Sequence, residues 1–394
     1  MATRVGVGRS TNRSSATAGS EAARQAIAPL EGRTPSLVLV FGTAGHDQTA
    51  LLQGVRDVTG NAALSGCSGE GIITRYGSEE TSHVVAVAAI ASDEIVFETF
   101  FVGGFGDDSR ACANALVDEI RKRGATGSLL LVFPDGISGN CSELVEVLDA
   151  ALPPGTVVAG GTAGDLLSFE RTWQYCDDRV ESGGLAALMI GGAVRPEVVV
   201  SHGCDLIGAE RVVTRAANGF VEEIDGEPAW SFFKAYLPDG ADSLDALHVA
   251  HLLLAERIGG RDEGIDDFTV RVPVKLDKER GALFFPAGIR EGTRVQLARR
   301  NAEKVCTRAV EAARRVGHGH GDAQPLLVLD LECAGRGSLL FAAETTSRLI
   351  KPIQGVFAQD VPWIGLHTYG EIAAVAGRTW FHNYTSIVCA FYHG

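Results

Sequence analysis

The sequence has no run of about 18 apolar residues, the length that a helix needs to cross a bilayer. Residues 1–35 carry arginines and serines but lack the apolar stretch that secretion signals contain. Residues 5–8 are predicted to form a short strand instead. We therefore expect a protein without membrane contacts, located in the cytoplasm.

No two of the eight cysteines form a C-x-x-C pair, so the spacing of zinc ribbons and thioredoxin-like redox motifs is missing. Reduced thiols are expected in a protein without a secretion signal. The sequence also lacks a nucleophile elbow, a Walker A loop, a dinucleotide-binding fingerprint and the H-E-x-x-H motif. These absences argue against the common enzyme classes.

Positive charge is scarce too, because 35 lysines and arginines face 49 acidic residues, for a net charge of −14. Nucleic acids and anionic membranes attract basic patches, so neither is expected as a partner. A local basic pocket remains compatible with this balance.

What the sequence does contain is an internal repeat, with one copy at residues 36–71 and another at residues 128–165. Each copy opens with an apolar run that ends in Val-Phe, which is typical of a strand buried on both faces. An amphipathic helix and a second strand follow. Each copy then closes in a glycine turn, GCSGEG at 66–71 and GGTAGD at 160–165.

A third copy lies near the C-terminus, with a strand at 325–331, a turn at 332–337, a helix at 343–350 and a closing turn at 365–371. Strand material follows every copy. The pattern predicts an α/β fold, with α+β as the alternative, in which helices cover mixed β-sheets built from repeated strand–turn–helix–strand units.

We divide the chain into an N-terminal segment at 1–35, a domain at 36–230 with two copies, and a domain at 231–394 with the third. Between copies two and three, helices are predicted from Pro228 to about Leu237 and from Ser243 to Gly259. Paired strands over 269–275 and 281–286 and a long helix over 297–316 complete this region.

The sequence resembles the FIST family (F-box and intracellular signal transduction) over nearly its whole length. In the first half the resemblance rests on the buried strand, the turns at 66–71 and 160–165, and SHGCDLIG at 201–208. In the second half it rests on CAGRG at 333–337, YGEI at 369–372 and FHNYT at 381–385. The order and spacing of these short motifs make the match specific.

This resemblance implies a FIST N-like and a FIST C-like domain that together sense small ligands. Some bacterial members bind haem, sense nitric oxide and regulate a histidine kinase or a cyclic-dinucleotide enzyme. Haem is therefore a candidate cofactor, and such an enzyme is a candidate partner. An F-box adaptor role is disfavoured, since about 35 residues precede the first buried strand.

The three glycine turns are the first candidate site, because ligands of α/β sheets bind at the carboxyl ends of strands. Glycine lets backbone N–H groups approach a ligand, hydroxyls donate hydrogen bonds, and acids hold a ligand amine. The alternative is that the same residues only shape and cap the turns. The candidate ligand-binding residues in the turns are Cys67, Ser68, Glu70, Thr162, Asp165, Thr368 and Glu371.

His382, beside Asn383 and between Phe381 and Tyr384, is a candidate axial ligand of haem iron. The alternative is a core histidine that is hydrogen-bonded to a turn. His367, inside the third turn, is the second choice. Another pair, at positions 248 and 251, has helical spacing for a metal but no third ligand nearby.

Cys333 and Arg336 lie where the third copy leaves its buried strand. A thiol beside an arginine can have a lowered pKa, and with His382 it would form a Cys–His nucleophile pair. The alternative for Cys333, and for Cys67, is a small buried residue in a tight turn.

Four functions therefore stay open: a small-ligand sensor, a haem-based nitric-oxide sensor, a cysteine-dependent enzyme and a scaffold. Because no recognised catalytic motif is present, we favour a sensory protein that relays ligand binding to a signalling partner.

Overall fold

The computed structural model describes residues 3–237, 243, 244, 253–258, 268–318 and 323–394. Within them, three six-stranded mixed sheets surround a common apolar core, and an outer antiparallel sheet lies against them. The predicted class is confirmed, because helices cover mixed sheets built from the three repeats.

The three sheets have the same strand order. Sheet 1 contains Arg4–Ser10, Val85–Ala91, Leu37–Thr43, Ala63–Gly69, Gln174–Cys176 and Arg179–Glu181. Sheet 2 contains Ile95–Gly103, Gly184–Gly192, Leu129–Pro134, Val157–Gly161, Glu371–Val375 and Arg378–His382. Sheet 3 contains Val194–His202, Thr385–His393, Leu327–Cys333, Trp363–Thr368, Gly71–Thr74 and Gly77–Glu79.

The third strand of each sheet is the apolar run that opens a repeat, and both of its faces are buried. Alternate side chains point to opposite faces of a strand, so one set enters the shared core and the other meets the helices. The set that enters the core is Leu37, Leu39, Phe41, Leu129, Leu131, Phe133, Leu327, Leu329 and Leu331.

The last two strands of each sheet form a hairpin contributed by a different copy. The hairpin after copy one pairs with Trp363–Thr368 of copy three, and the hairpin after copy three pairs with Val157–Gly161 of copy two. The strand Gln174–Cys176, after copy two, pairs with Ala63–Gly69 of copy one. This cyclic exchange interlocks the three repeats.

Two helices cover sheet 1, two cover sheet 2, and the longest helix packs on sheet 3 together with the short helices before residue 355. Asp47 and Asn140 accept backbone N–H groups at helix starts, as N-caps do. Within the described residues, the α-helices are Ser15–Ile27, Gln48–Thr59, Ser109–Arg123, Cys141–Ala151, Ala229–Lys234, Ala302–His318, Ser338–Phe341 and Lys351–Gln354. The 3₁₀ segments are Ala28–Leu30, Ala334–Arg336 and Ala342–Glu344, and Thr346–Ile350 is a π-helix.

The outer sheet corrects two predictions. Residues 297–300 belong to the strand Arg294–Arg300 and not to the long helix, which begins at Ala302. Leu253–Arg257 is a strand where we predicted the end of a helix from Ser243. The other strands of this sheet are Cys204–Ala217, Phe220–Ile224, Glu227–Pro228, Phe268–Arg271, Lys275–Asp277 and Ala282–Phe284.

The predicted pairing of 269–275 with 281–286 holds only for Lys275–Asp277 with Ala282–Phe284, because Phe268–Arg271 pairs with Leu253–Arg257. No helix among the described residues is long and apolar enough to cross a membrane.

Candidate functional site

The three repeats meet where their second strands end. Gly66, Gly160 and Gly365 lie opposite the same position of the neighbouring parallel strand, at Val40, Val132 and Asp330. A Cβ atom at any of the three would lie 1.9–2.0 Å from the facing carbonyl oxygen. Glycine is therefore required at this point in every copy.

This register shows which turn residues are equivalent. Two residues after the glycine stand Ser68, Thr162 and His367, so Thr368 is not the structural counterpart of the other two hydroxyls. The acids Glu70, Asp165 and Glu371 likewise occupy different positions in their copies. The turns are therefore less similar in structure than their sequences suggested.

A ring of backbone hydrogen bonds joins the three turns. Glu70 N donates to His367 O at 2.9 Å, Gly164 N donates to Ser68 O at 3.0 Å, and Tyr369 N donates to Thr162 O at 3.4 Å. Each copy donates once and accepts once. The structure therefore brings the three predicted turns together at one place.

A group of three ionisable side chains, which we call the junction triad, lies beside this ring. Tyr369 Oη is 2.6 Å from Asp165 Oδ1 and 3.2 Å from Glu70 Oε2. Each copy supplies one member. Both acids were predicted as ligand-binding residues, but Tyr369 was not. Tyr369 occupies the position that Glu70 has in the first copy and Gly164 has in the second.

The junction triad holds a strained loop. Leu166, Leu167 and Phe169 have φ angles of 63°, 57° and 52°, in the left-handed region that side chains other than glycine rarely adopt. Leu167 N donates to both Glu70 Oε2 and Tyr369 Oη. The Asp165 carboxylate accepts the backbone N–H groups of residues 169, 170 and 171.

Phe169 closes the loop over the triad. Its ring stacks on Tyr369 with 4.9 Å between centroids and an interplanar angle of 25°, yet the residue is 48% exposed. A large apolar side chain is thus kept at the surface by a contact with the junction triad.

The junction triad is acidic, and no cation among the described residues balances it. Burial raises the pKa of Glu70 to about 7, and the nearby carboxylates of Glu80 and Asp165 raise it too, against hydrogen bonds that lower it. Within the described part of the chain, neither Glu70 nor Asp165 forms a salt bridge. The Tyr369 pKa is raised by burial and by Glu70, so the phenol keeps its proton.

The remaining predicted residues of the first two turns have other surroundings. Ser68 Oγ donates to Gly164 O and accepts from Trp173 N, which ties copies one and two together. The buried hydroxyl of Thr162 has no hydrogen-bond partner among the described residues. Cys67 packs in the shared apolar core.

The predicted residues of the third copy form a second, fully buried group. Arg336 Nε lies 2.9 Å from Glu332 Oε2, and neither side chain is exposed. Thr368 Oγ1 donates to Glu371 Oε1 at 2.5 Å, and Glu371 Oε2 accepts from the backbone and hydroxyl of Thr385. Glu332 was not among the predicted residues. We predicted it in the turn at 332–337, whereas the structure places it inside the buried strand Leu327–Cys333.

The buried Glu371 makes the stability of the fold depend on pH. Burial raises the pKa of Glu371 to about 8, although bonds from Thr368 and Thr385 lower it. The folded chain therefore keeps a proton that the unfolded chain loses above its ordinary pKa of about 4.3. The contribution of the protonated Glu371 to the unfolding free energy is fully present below the unfolded pKa, and it is lost as pH rises through about 8.

We expect the unfolding free energy of wild type to fall with pH between about 5 and 8 more steeply than that of Glu371→Gln, by up to about 1.4 kcal/mol per pH unit. Urea unfolding at four pH values measures the two slopes. The exposed substitution Glu279→Gln serves as the control and should follow wild type. Equal slopes for wild type and Glu371→Gln would contradict the assignment.

The surroundings of His382 do not fit a haem ligand. The ring is fully buried, Nδ1 lies 3.0 Å from Thr269 Oγ1, and Nε2 lies 3.1 Å from Ala373 O. Burial lowers the pKa of His382 to about 3, so the neutral ring is hydrogen-bonded on both sides. An iron atom would have to displace one of these bonds inside the core.

Two neighbouring candidates are also bound within the protein. Asn383 Nδ2 donates to Tyr369 O, and His367 Nε2 lies 2.8 Å from Ser78 Oγ. The histidines at positions 248 and 251 lie outside the described residues.

The cysteines do not have the properties of nucleophiles. Burial raises the pKa of Cys333 despite Arg336, contrary to the expected lowering, and the ring nitrogens of His382 bond elsewhere. Burial likewise raises the thiol pKa of all seven others. The geometry thus gives no support to a cysteine-dependent enzyme.

Comparison with known proteins identifies the family. The FIST N domain model matches residues 36–227, and the FIST C domain model matches residues 229–374. An uncharacterised protein of Mycobacterium tuberculosis is 30% identical over 398 residues, which cover 98% of this chain and 99% of that protein. An uncharacterised protein of Mycobacterium bovis is 28% identical over 401 residues and 98% of each chain.

Among solved structures, a cyanuric acid hydrolase from A. caulinodans is 12% identical over 48% of this chain and 71% of that one, with a TM-score of 0.27. This likeness is too weak to carry an argument. FIST domains are sensory domains of signal transduction that bind small ligands. Two adjoining domain models and a relative matched from end to end lead to one conclusion: the chain belongs to the FIST family.

Proposed function

We propose that this protein senses a small amine-bearing ligand at the junction of its three repeats and relays binding to a signalling partner. The observation that carries the proposal is the strained loop 166–169, held by one ionisable side chain from each copy. Backbone strain of this kind clusters at functional sites and switch regions.

The charge of the site selects the ligand class. Glu70 and Asp165 share a partly buried place that contains no balancing cation among the described residues. A ligand ammonium group would supply that charge and donate charge-assisted hydrogen bonds to both carboxylates. Because the charged form of Glu70 would then be favoured, affinity should rise as pH increases through about 7.

The strain of the loop offers a route from binding to signalling. Each non-glycine residue in the left-handed region costs on the order of 1–3 kcal/mol. The hydrogen bonds that the loop N–H groups donate to Glu70, Asp165 and Tyr369 offset this cost. A ligand that competes for these carboxylates would release the loop and move the exposed Phe169 ring. The changed surface would be read by the partner, for which a histidine kinase or a cyclic-dinucleotide enzyme is the expectation from the family.

A thermal-shift screen of amino acids and polyamines at pH 8 tests the proposal, because a ligand that binds only the folded state raises its melting temperature. We expect at least one amine to stabilise wild type and to bind Glu70→Gln at least tenfold more weakly. The glutamine keeps an acceptor for Leu167 N, so the variant should still fold.

Glu279→Gln is the matched control, since it removes the same charge from an exposed side chain elsewhere. It should bind like wild type. A screen without any stabilising amine, or an amine that binds Glu70→Gln as tightly as wild type, would refute the proposal.

A further inference from the structure

A large cleft, separate from the repeat junction, has a different composition and charge. It opens between the N-terminus of the helix Cys141–Ala151, the strand Arg378–His382 and the outer sheet, and its volume is about 800 Å³. Clefts of about 300–1,000 Å³ are typical of small-molecule sites. None of the residues that form the junction triad contributes to its walls.

The walls of this cleft are basic. Six arginines line it against four glutamates, although the whole chain carries a net charge of −14. The arginines are Arg110, Arg257, Arg271, Arg290, Arg294 and Arg378. An acidic protein that concentrates guanidinium groups around one concavity creates a local field that attracts anions.

Glutamates hold five of the six arginines in place. Glu210, outside the lining, is shared by Arg257 and Arg294, with Arg257 Nε 3.1 Å from Glu210 Oε2 and Arg294 Nη1 3.0 Å from Glu210 Oε1. Glu146 is shared, because Arg110 Nη2 lies 3.0 Å from Glu146 Oε2 and Arg290 contacts Glu146 Oε1. Arg271 is 2% exposed, with its Nε 2.7 Å from Glu256 Oε2, and it also donates to Phe381 O. The buried guanidinium is therefore oriented before any ligand arrives.

Arg378 adds a group that is available for binding. It is exposed, its guanidinium lies 4.5 Å from the centroid of the Trp380 ring, and it has no carboxylate partner in the described part of the chain. The indole and the guanidinium together present a flat surface with a positive charge.

We propose that this cleft binds a small anion that carries phosphate or carboxylate groups. Guanidinium groups match both anions through pairs of parallel hydrogen bonds, and Arg271, Arg290 and Arg378 are the groups that would hold them. The site is independent of the amine site at the junction triad, so the protein would respond to two ligands of opposite charge.

Titration calorimetry with pyrophosphate and with citrate tests this site and separates the two anion sources. We expect at least one of them to bind wild type, more weakly as salt increases, and to bind the double variant Arg290→Gln/Arg378→Gln at least tenfold more weakly. Both arginines are exposed, so the variant should keep its circular dichroism spectrum.

Arg4→Gln, which removes an exposed arginine at the edge of sheet 1, is the control and should bind like wild type. If the double variant does not fold, the two single variants carry the same test, with at least a threefold loss each. Failure of both anions to bind wild type, or equal binding by the arginine variants, would overturn the proposal. Amine binding at the junction should be unchanged in these variants, so the two proposals fail separately.

Discussion

Gly160→Ala is expected to reduce the unfolding free energy by about 3 kcal/mol or more, at the upper end of what overpacking costs. The added Cβ would lie 2.0 Å from Val132 O and 2.9 Å from Val132 N. These are backbone atoms of the neighbouring parallel strand, so no side-chain rotation can relieve the contact. The two strands must separate at the centre of sheet 2, where both are buried.

Gly103→Ala provides a matched control, because it places the same methyl group in a strand of the same sheet. The nearest atom to its Cβ would be 4.0 Å away, and the residue is exposed. Its effect should stay within about 0.5 kcal/mol of wild type. Urea unfolding of both variants measures the difference, and equal stability would show that the close approach at Gly160 is not required.

The equivalent glycines extend this expectation to all three copies. A Cβ at Gly66 or Gly365 would lie 1.9 Å from Val40 O or Asp330 O. The sequence placed the three glycines in the closing turns of the repeats, but their contact with the neighbouring strand was not predicted, because the spacing from the apolar run differs among the copies. The turns were expected at the carboxyl ends of buried strands. Each of these strands lies in a different sheet, so the meeting of the three turns depends on how the sheets pack around the shared core.

The exchange of hairpins between copies could not be read from the sequence. Gly71–Thr74 and Glu371–Val375 have ordinary strand composition, and nothing local states which sheet they join. Pairing over such separations depends on the shape of the assembled core. The register of the strands could not be predicted from the sequence either. In the structure, His367 and not Thr368 occupies the position of Ser68 and Thr162.

The strand Arg294–Arg300 was missed for a different reason. Val295 and Leu297 are buried and Gln296 between them is half-buried, which is the alternation of a strand. The long apolar stripe of the following helix concealed this alternation, so two elements were predicted as one. Tyr369 was missed for another reason: its role depends on two acids from other copies, which only the folded chain brings within hydrogen-bonding distance.

Arg336→Met is expected to destabilise the fold by about 3–5 kcal/mol, the usual cost of removing one partner from a buried ion pair. Glu332 would remain without its cation at 0% exposure. Asp330 stands on the same strand, and its pKa is raised by burial and by the charge of the nearby Glu332. Arg336 therefore offsets a carboxylate that water cannot reach.

The double variant Glu332→Met/Arg336→Met separates the role of the charge from the role of the packing. Replacing both charges with apolar side chains removes the unpaired carboxylate, so the double variant should recover most of the stability lost in Arg336→Met. Arg4→Met, which breaks the exposed pair of Arg4 and Glu31, should cost less than about 1 kcal/mol. If Arg336→Met cost no more than Arg4→Met, or if the double variant were less stable than either single variant, the buried pair would not hold sheet 3 in the way that its geometry indicates.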